Sequence, residues 1–367
     1  MSRHDTSPRV PIAGPELGSR ERERVLDVLD SGLLADGPEV RAFEEEFASR
    51  CGVDHAVATA NGTAALHAAL HACGIGRGDT VVTTPLSFVA TANAVRFCGA
   101  RPVFADVDPE TYNLNPESVR AVVEAEGGVD AILPVHLYGL PADMDAITAI
   151  ADEHDVVVIE DAAQAHGARY RDDPVGSLAD AAAFSFYPTK NMTTGEGGMV
   201  VTDDGSIADR AARFVNHGRD ETGTHVDVGH NFRMTSIAGA IGRAQLPRLG
   251  AFVRARCRNA ARLTEALADS PVTTPVEPDD RRHAYHQYTV RCERREALVA
   301  HLDDAGVDTG VYYPDPIHEL PAYDDVDASC PEAERAAREV VSLPVHPALT
   351  NEQVERVAAA VLEYERP

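Results

Sequence analysis

Met144-Asp-Ala-Ile-Thr-Ala-Ile-Ala-Asp152 leads into Val156-Val-Val-Ile-Glu160-Asp161-Ala-Ala-Gln164-Ala-His166-Gly167, and this pair of segments decides the fold. The first places apolar residues at helical spacing; the second is an unbroken apolar run that ends in two acids. A helix feeding a strand that has no polar face is part of a βαβ unit, with both sheet faces covered. Working outward, the same alternation recurs. Candidate strands are His55-Ala-Val-Ala-Thr, Thr80-Val-Val-Thr-Thr, Arg101-Pro-Val-Phe-Ala, Ala131-Ile-Leu-Pro-Val, Ala182-Ala-Phe-Ser-Phe and Gly198-Met-Val-Val-Thr. Candidate helices start near Thr63, Val89, Pro116, Asp143 and Ile207. Residues 1–250 therefore read as a large α/β domain with a mainly parallel sheet flanked by helices. From Ile237 to about Asp269 the Ala-, Arg- and Leu-rich sequence reads as one long helix. Strand-like Tyr285–Arg291, a helix over Arg295–Asp304, a Tyr/Pro-rich loop and a final helix from Asn351 complete a smaller α+β domain over 251–367.

Just beyond the next strand lies Phe184-Ser-Phe-Tyr-Pro-Thr-Lys190-Asn-Met-Thr-Thr-Gly-Glu-Gly-Gly198, which holds the only lysine of a chain with 33 Lys+Arg. Arginine stays protonated and is a poor nucleophile, whereas lysine can lose its proton and attack a carbonyl. The bland alternative is a surface lysine that survived compositional drift. The formal net charge is -26, with acids scattered along the chain and no acidic tail. Such a surface repels nucleic acid and anionic membranes, and with the lysine depletion it points to a salty cytosol, where screening makes the charge tolerable. The six cysteines show no C-x-x-C spacing, so reduced thiols are expected rather than disulfides or a zinc ribbon. Residues 1–8 carry no apolar leader pattern and no run reaches membrane-spanning length, so a soluble cytoplasmic protein is expected.

Four segments converge on one chemistry. Asn61-Gly62-Thr63-Ala-Ala-Leu-His, at a strand-to-helix junction, offers free helix amides and a hydroxyl to phosphate, although it is also a good turn and N-cap. Asp161 ends a buried strand, where ligands bind in open α/β sheets; a strand-end Asp can equally cap the next helix. Lys190 follows it by 29 residues (190 − 161), and Ser185 adds a hydroxyl. Pro85-Leu-Ser-Phe88 places an aromatic ring just after a strand, where it is either core or a stacking surface. A phosphate cradle, a carboxylate for a ring nitrogen, an aromatic face and an amine are the requirements of pyridoxal 5'-phosphate (PLP).

The chain resembles the DegT/DnrJ/StrS sugar aminotransferase family of fold-type I PLP enzymes over nearly its whole length. The resemblance rests on Asn61-Gly-Thr-Ala-Ala-Leu, Ser87-Phe-Val-Ala-Thr-Ala-Asn, Glu160-Asp-Ala-Ala-Gln-Ala-His-Gly-Ala, Phe184-Ser-Phe-Tyr-Pro-Thr-Lys-Asn, Gly229-His-Asn-Phe-Arg-Met-Thr and Tyr312-Tyr-Pro-Asp-Pro-Ile-His318. It implies that Lys190 forms the Schiff base and shuttles protons, and that Asp161 pairs with the pyridinium nitrogen. Gln164 would lie by the phenolic oxygen and Phe88 on the ring. Gly62, Thr63 and Ser185 would hold the phosphate, joined by Asn231 from the neighbouring subunit of a homodimer with a shared active site. Tyr313 and His318 match a loop that walls the substrate site; His136, Tyr138, Tyr187, His217 and Arg219 are further substrate candidates. Apart from the resemblance, an acidic surface must still admit an anionic sugar nucleotide, so an arginine cluster near the cleft is expected, with Arg219 and Arg233 as its candidates. The implied reaction moves an amino group from an amino acid, glutamate, to a nucleotide-linked keto-sugar, the cofactor cycling through pyridoxamine 5'-phosphate. Thr193-Thr-Gly-Glu-Gly-Gly198 resembles members that act at C4 of the sugar more than those that act at C3.

Rival motifs are weaker. Gly74-Ile-Gly-Arg-Gly78 precedes a strand instead of following one, the wrong order for a dinucleotide fingerprint. Asp106–Glu117 has the oxygen spacing of a calcium loop, but Thr111 occupies the position that needs glycine, so a turn is expected. No histidine spacing indicates a metal. A sugar dehydratase on the same scaffold is the nearest rival; related dehydratases carry His where this chain has Lys190. A PLP-binding regulator without turnover is the rival from another class, unsupported by any DNA-binding helix or basic patch.

Overall fold

Seven strands build the central sheet: β1 (His55–Thr59), β2 (Thr80–Thr83), β3 (Arg101–Phe104), β4 (Ala131–Leu133), β5 (Val157–Asp161), β6 (Ala181–Ser185) and β7 (Gly198–Thr202). The computed structural model describes residues 9–364; segment 1–8, on which the expectation of no leader falls, and residues 365–367 lie outside them. The sheet order is β1-β7-β6-β5-β4-β2-β3. Only β7 runs antiparallel to its neighbours β1 and β6; the pairs β2–β3, β2–β4, β4–β5 and β5–β6 are parallel. Six strands thus point their C-terminal ends at one edge, and Asp161 and Ser185 are the last residues of two of them.

Strand side chains alternate between two helical layers. Ala181, Ala183 and Val200 pack with the Ala-rich helix Gly62–Ala72 and with Phe214 of Gly205–Val215. Ala182, Phe184, Met199 and Val201 face Phe43 and Phe47 of helix Pro38–Cys51. There Phe43, Phe47, Phe184 and Phe186 meet at centroid distances of 5.0–5.8 Å. Each buried ring contributes roughly 2–3 kcal/mol by area. Beneath the sheet, Glu160 is fully buried and accepts from Gly176 N and Leu178 N, both at 2.9 Å, and from His136 Nε2 at 2.8 Å.

The expected long helix is interrupted. Helix Ser236–Gln245 gives way to a 3₁₀ turn, Leu246–Arg248, before helix Leu249–Ala266. Pro247 lacks the N–H that a continuous helix would use. The last strands, Tyr288–Arg291 and Val340–Leu343, pair antiparallel; the first begins later than the expected Tyr285, which has φ 44° and cannot extend a ladder. Helices Arg295–Asp304 and Asn351–Leu362 pack with these strands, and Val10 joins that cluster through a parallel bridge to Val307. Ile317, Tyr323 and Ala333 instead return to Leu86, Phe104 and Leu137. All six cysteines are unpaired. No helix among the described residues is long and apolar enough to cross a membrane.

Candidate active site

The helix Gly62–Ala72 starts at the edge to which the strands point, and its first turn faces the end of β6. Asn61 caps it, accepting from Ala64 N at 2.9 Å. Gly62 is obligatory here: a Cβ would lie 2.6 Å from Ser185 Cβ and 2.9 Å from Ser185 Oγ. Gly198 is equally constrained, since its Cβ would lie 2.4 Å from the Asn61 carbonyl oxygen. The helix N-terminus and the lysine loop therefore touch backbone to backbone.

That loop is a hairpin connection between β6 and β7. Phe186 N donates to Gly197 O at 2.8 Å, Thr194 N to Phe186 O at 3.1 Å, and Lys190 N to Tyr187 O at 2.9 Å. Gly195 takes φ 86°, the left-handed turn expected of the glycine run. Lys190 is partly buried. Burial pulls its pKa from 10.5 down to about 8, against the upward pull of the Asp161 carboxylate.

Asp161 is 4% exposed and its carboxyl is pushed up by burial. Thr91 Oγ1 donates to Oδ2 at 2.8 Å and Ala163 N to Oδ1 at 3.2 Å, and Ser87 Oγ bonds Thr91 in turn at 2.9 Å. Its hydrogen-bond donors are neutral, which leaves a desolvated carboxylate suited to a cationic partner. Gln164 Oε1 accepts from Tyr138 N at 2.8 Å, and its Nε2 donates to Tyr313 OH at 2.7 Å. Both groups are thereby oriented, with one Nε2 hydrogen and the Tyr313 proton left to give.

These parts line one cleft of about 850 Å³, with Asn61, Gly62, Thr63, Phe88, Asp161, Gln164, Ser185, Tyr187, Lys190 and Tyr313 in its wall. Phe88 is 61% exposed there, an aromatic face without a partner ring. The desolvated carboxylate with only neutral donors, the glycine cradle at a helix N-terminus and the depressed amine together fit the pyridine nitrogen, the phosphate and the aldehyde of PLP.

The other sequence candidates fall elsewhere. His136 is fully buried below the sheet: Ala142 N donates to its Nδ1 at 3.0 Å, so Nε2 carries the proton given to Glu160. Tyr138 is stacked behind Tyr313 at 6.1 Å, outside the cleft. His318 turns to Glu334 at 3.5 Å; with Glu319 these ligand atoms lie within 4.8 Å of one another, a grouping the spacing did not reveal. Arg219 and Arg233 line a second cavity of about 250 Å³ with Arg41 and Arg213. His217 lies beside it at φ 59°, and Asn231 is exposed opposite Asn216. None of these four residues lines the Lys190 cleft of its own chain. The N-cap reading of the Asn61 segment is borne out, whereas sequence reasoning missed Thr91, Tyr312, His286 and Gln287. Thr91 stood within a quoted motif, and its signal was a hydroxyl in an otherwise Ala-rich turn.

A mostly parallel sheet with a helix N-terminus, a lysine and an aspartate at one sheet edge is an arrangement shared with PLP-dependent enzymes. The sequence profile of the DegT/DnrJ/EryC1/StrS aminotransferase family matches residues 15–362, and the chain belongs to that family. It is 41% identical to the dTDP-3-amino-3,4,6-trideoxy-alpha-D-glucose transaminase of Streptomyces venezuelae, over 99% of this chain and 98% of that protein. It is 42% identical to a pleiotropic regulatory protein of Geobacillus stearothermophilus, over 94% of each. The crystal structure of S. venezuelae DesV in complex with a ketimine intermediate superposes with a TM-score of 0.94 at 41% identity, covering 97% of this chain and 98% of that one.

Proposed function

We propose that this enzyme transfers an amino group from glutamate to a nucleotide-linked keto-sugar, with PLP held in the cleft of Lys190 and Asp161. The observation that carries the reading is that Asp161 and Lys190 line one cleft at a single sheet edge, where burial raises the carboxyl and lowers the amine. When bound, the cofactor supplies an electron sink for the carbanion formed at the donor's Cα. Asp161 holds the proton on the ring nitrogen through Oδ2 or Oδ1, backed by Thr91. Lys190 Nζ takes the Cα proton and returns it elsewhere, a task for a group whose pKa lies near the working pH. Thr63, Ser185 and the first amides of helix Gly62–Ala72 would hold the phosphate, Phe88 would cover the ring, and Gln164 Nε2 has a second hydrogen that it would give to the phenolic oxygen.

The enzyme acts as a homodimer in which the partner subunit adds the exposed Asn231 segment to the phosphate end, in a cytosol of high salt. Tyr187 and Tyr313 contact the sugar. The stretch Thr193–Gly198 favours amination at C4, whereas the S. venezuelae relative is named for an amino group at C3. A panel of 3-keto and 4-keto sugar nucleotides, with glutamate and PLP and mass-spectrometric readout, decides the acceptor. Lys190→Arg tests the core of the reading. We expect a folded protein that lacks the visible band of lysine-linked cofactor and loses turnover by on the order of 10³-fold or more. A coloured, active arginine variant refutes it. Loss of the band in the native protein on adding glutamate separates the enzyme from a non-catalytic regulator.

A further inference from the structure

The segment Ala284-Tyr285-His286-Gln287 crosses the floor of the cleft under unusual restraint. Tyr285 takes φ 44°, a strained backbone for a bulky residue. Each carbonyl of the segment's first three residues is held from outside. Asn191, the neighbour of Lys190, donates from Nδ2 to Ala284 O at 3.0 Å. Arg256 NH1 donates to both Tyr285 O and His286 O at 3.1 Å. On the other side Ala284 N donates to Gly139 O at 2.8 Å and Gln287 N to Tyr138 O at 3.1 Å. Gly139, at φ 100°, admits this approach, because a Cβ there would lie 2.9 Å from His286 N.

Arg256 is itself 6% exposed and has no carboxylate partner among the described residues. A buried guanidinium spent on two backbone carbonyls is a costly way to hold a turn. The side chains it presents are left unpaired. His286 is 7% exposed and Gln287 6%, both line the cleft, and His286 Nδ1 and Gln287 Oε1 are buried without hydrogen-bond partners. Two such groups side by side at a cleft wall require an explanation. Neither is needed by the cofactor set, which takes its contacts from β5, β6 and helix Gly62–Ala72.

We infer that His286 and Gln287 form the subsite that reads hydroxyl groups of the hexose ring, and that Arg256 is the positioning residue behind them. The inference rests on the aminotransferase reading and adds the part of the substrate that this wall recognises. Its chemistry is neutral. Burial keeps His286 well below its ordinary pKa, reinforced by Lys190, Arg256, His166 and His283 around it. An uncharged imidazole and a carboxamide each both give and accept hydrogen bonds, which matches hydroxyls and not phosphate or carboxylate. A wall built this way selects strongly, because a sugar lacking the hydroxyl leaves both buried groups unsatisfied.

The test uses the PLP-loaded enzyme, Gln287→Leu and His286→Phe, with Gln287→Glu as a charged control. Each of UDP-glucose, dTDP-glucose and GDP-mannose is titrated calorimetrically beside its bare nucleotide diphosphate. The donor half-reaction with glutamate is followed by loss of the visible band. We expect the native protein to bind at least one sugar nucleotide more tightly than the bare nucleotide. Gln287→Leu should lower that hexose increment about 10-fold or more, the scale of leaving a buried polar group unmatched. The ligand-free Gln287→Leu protein should melt at the same temperature as the native one or higher, because an unpaired amide has left the interior. A merely structural Gln287 would lower it. A hexose increment that is absent from the native protein, or that survives both apolar substitutions, overturns the subsite. Failure of glutamate to bleach the native protein overturns the aminotransferase reading instead, so the two failures are distinct.

Discussion

At Lys190 burial removes a proton that Asp161 helps to retain, and burial wins by enough to bring the amine to about 8. The neutral fraction at pH 7 is then roughly a tenth, against less than about a thousandth for an ordinary lysine. The sign for stability follows. The unfolded chain keeps this proton up to about 10.5 while the folded one releases it near 8, so the unfolded state binds more protons between those values. Ligand-free protein should therefore gain stability as pH rises through that window. The single lysine makes the titration readable. Reductive methylation with ¹³C-formaldehyde gives one ε-amine resonance, and its midpoint should fall near 8; a midpoint near 10.5 contradicts the buried geometry. Asp161 and Lys190 were legible in the sequence because strand-end acids and isolated amines announce their chemistry. Thr91, His286 and Gln287 were not. A hydroxyl in an Ala-rich helix and a polar pair before a strand look ordinary until the fold brings them to a shared cleft.

At the scale of elements, the close approach of helix Gly62–Ala72 to β6 governs the phosphate end. Gly62→Ala should force the two apart, since the new methyl meets Ser185 Cβ at 2.6 Å. Overpacking of this kind costs about 1–3 kcal/mol, and if the displaced amides are the anion site proposed above, PLP affinity should fall by more than the loss of stability explains. Thermal melts paired with cofactor titration check this; unchanged affinity would mean that these amides do not hold the phosphate. The seven strands of the central sheet and most helix starts were legible from periodicity, whereas strand Val340–Leu343 and the helices Ser19–Ser31, Pro38–Cys51 and Pro331–Glu339 were not read. The break at Pro247 was written in the sequence as plainly, yet the Ala-rich flanks on both sides outweighed it in the reading. His136 and Tyr138, which follow β4, were substrate candidates only through the family resemblance. The chain instead turns beneath the sheet there, where Glu160 needs the imidazole proton.

For the whole molecule, 59 acids against 33 bases leave a self-repelling surface. Raising KCl from about 0.1 M to about 2 M should raise the melting temperature, because the Debye length shrinks from about 10 Å to below 3 Å. Equal stability at both would remove the argument for a saline habitat. The placement of Asn231 away from its own cleft has a sharper test. Mixing inactive Lys190→Ala and Asn231→Asp proteins under subunit exchange should restore about a quarter of native activity, through hybrids with one intact shared site. No recovery would show that each chain is self-sufficient.

The antiparallel β7 carries a last consequence. Every crossover in a parallel sheet has slack, but the segment bearing Lys190 is zipped at both ends into adjoining rungs, Ser185 opposite Gly198 and Phe184 opposite Met199. Length there is quantised. A residue inserted so that it enters the ladder slips the register by one position and exchanges Met199 and Val201 with Val200 between the two buried layers, where neither shape fits. Natural variation in this enzyme should therefore tolerate exchanges of residue type around the amine and forbid changes in spacing after it.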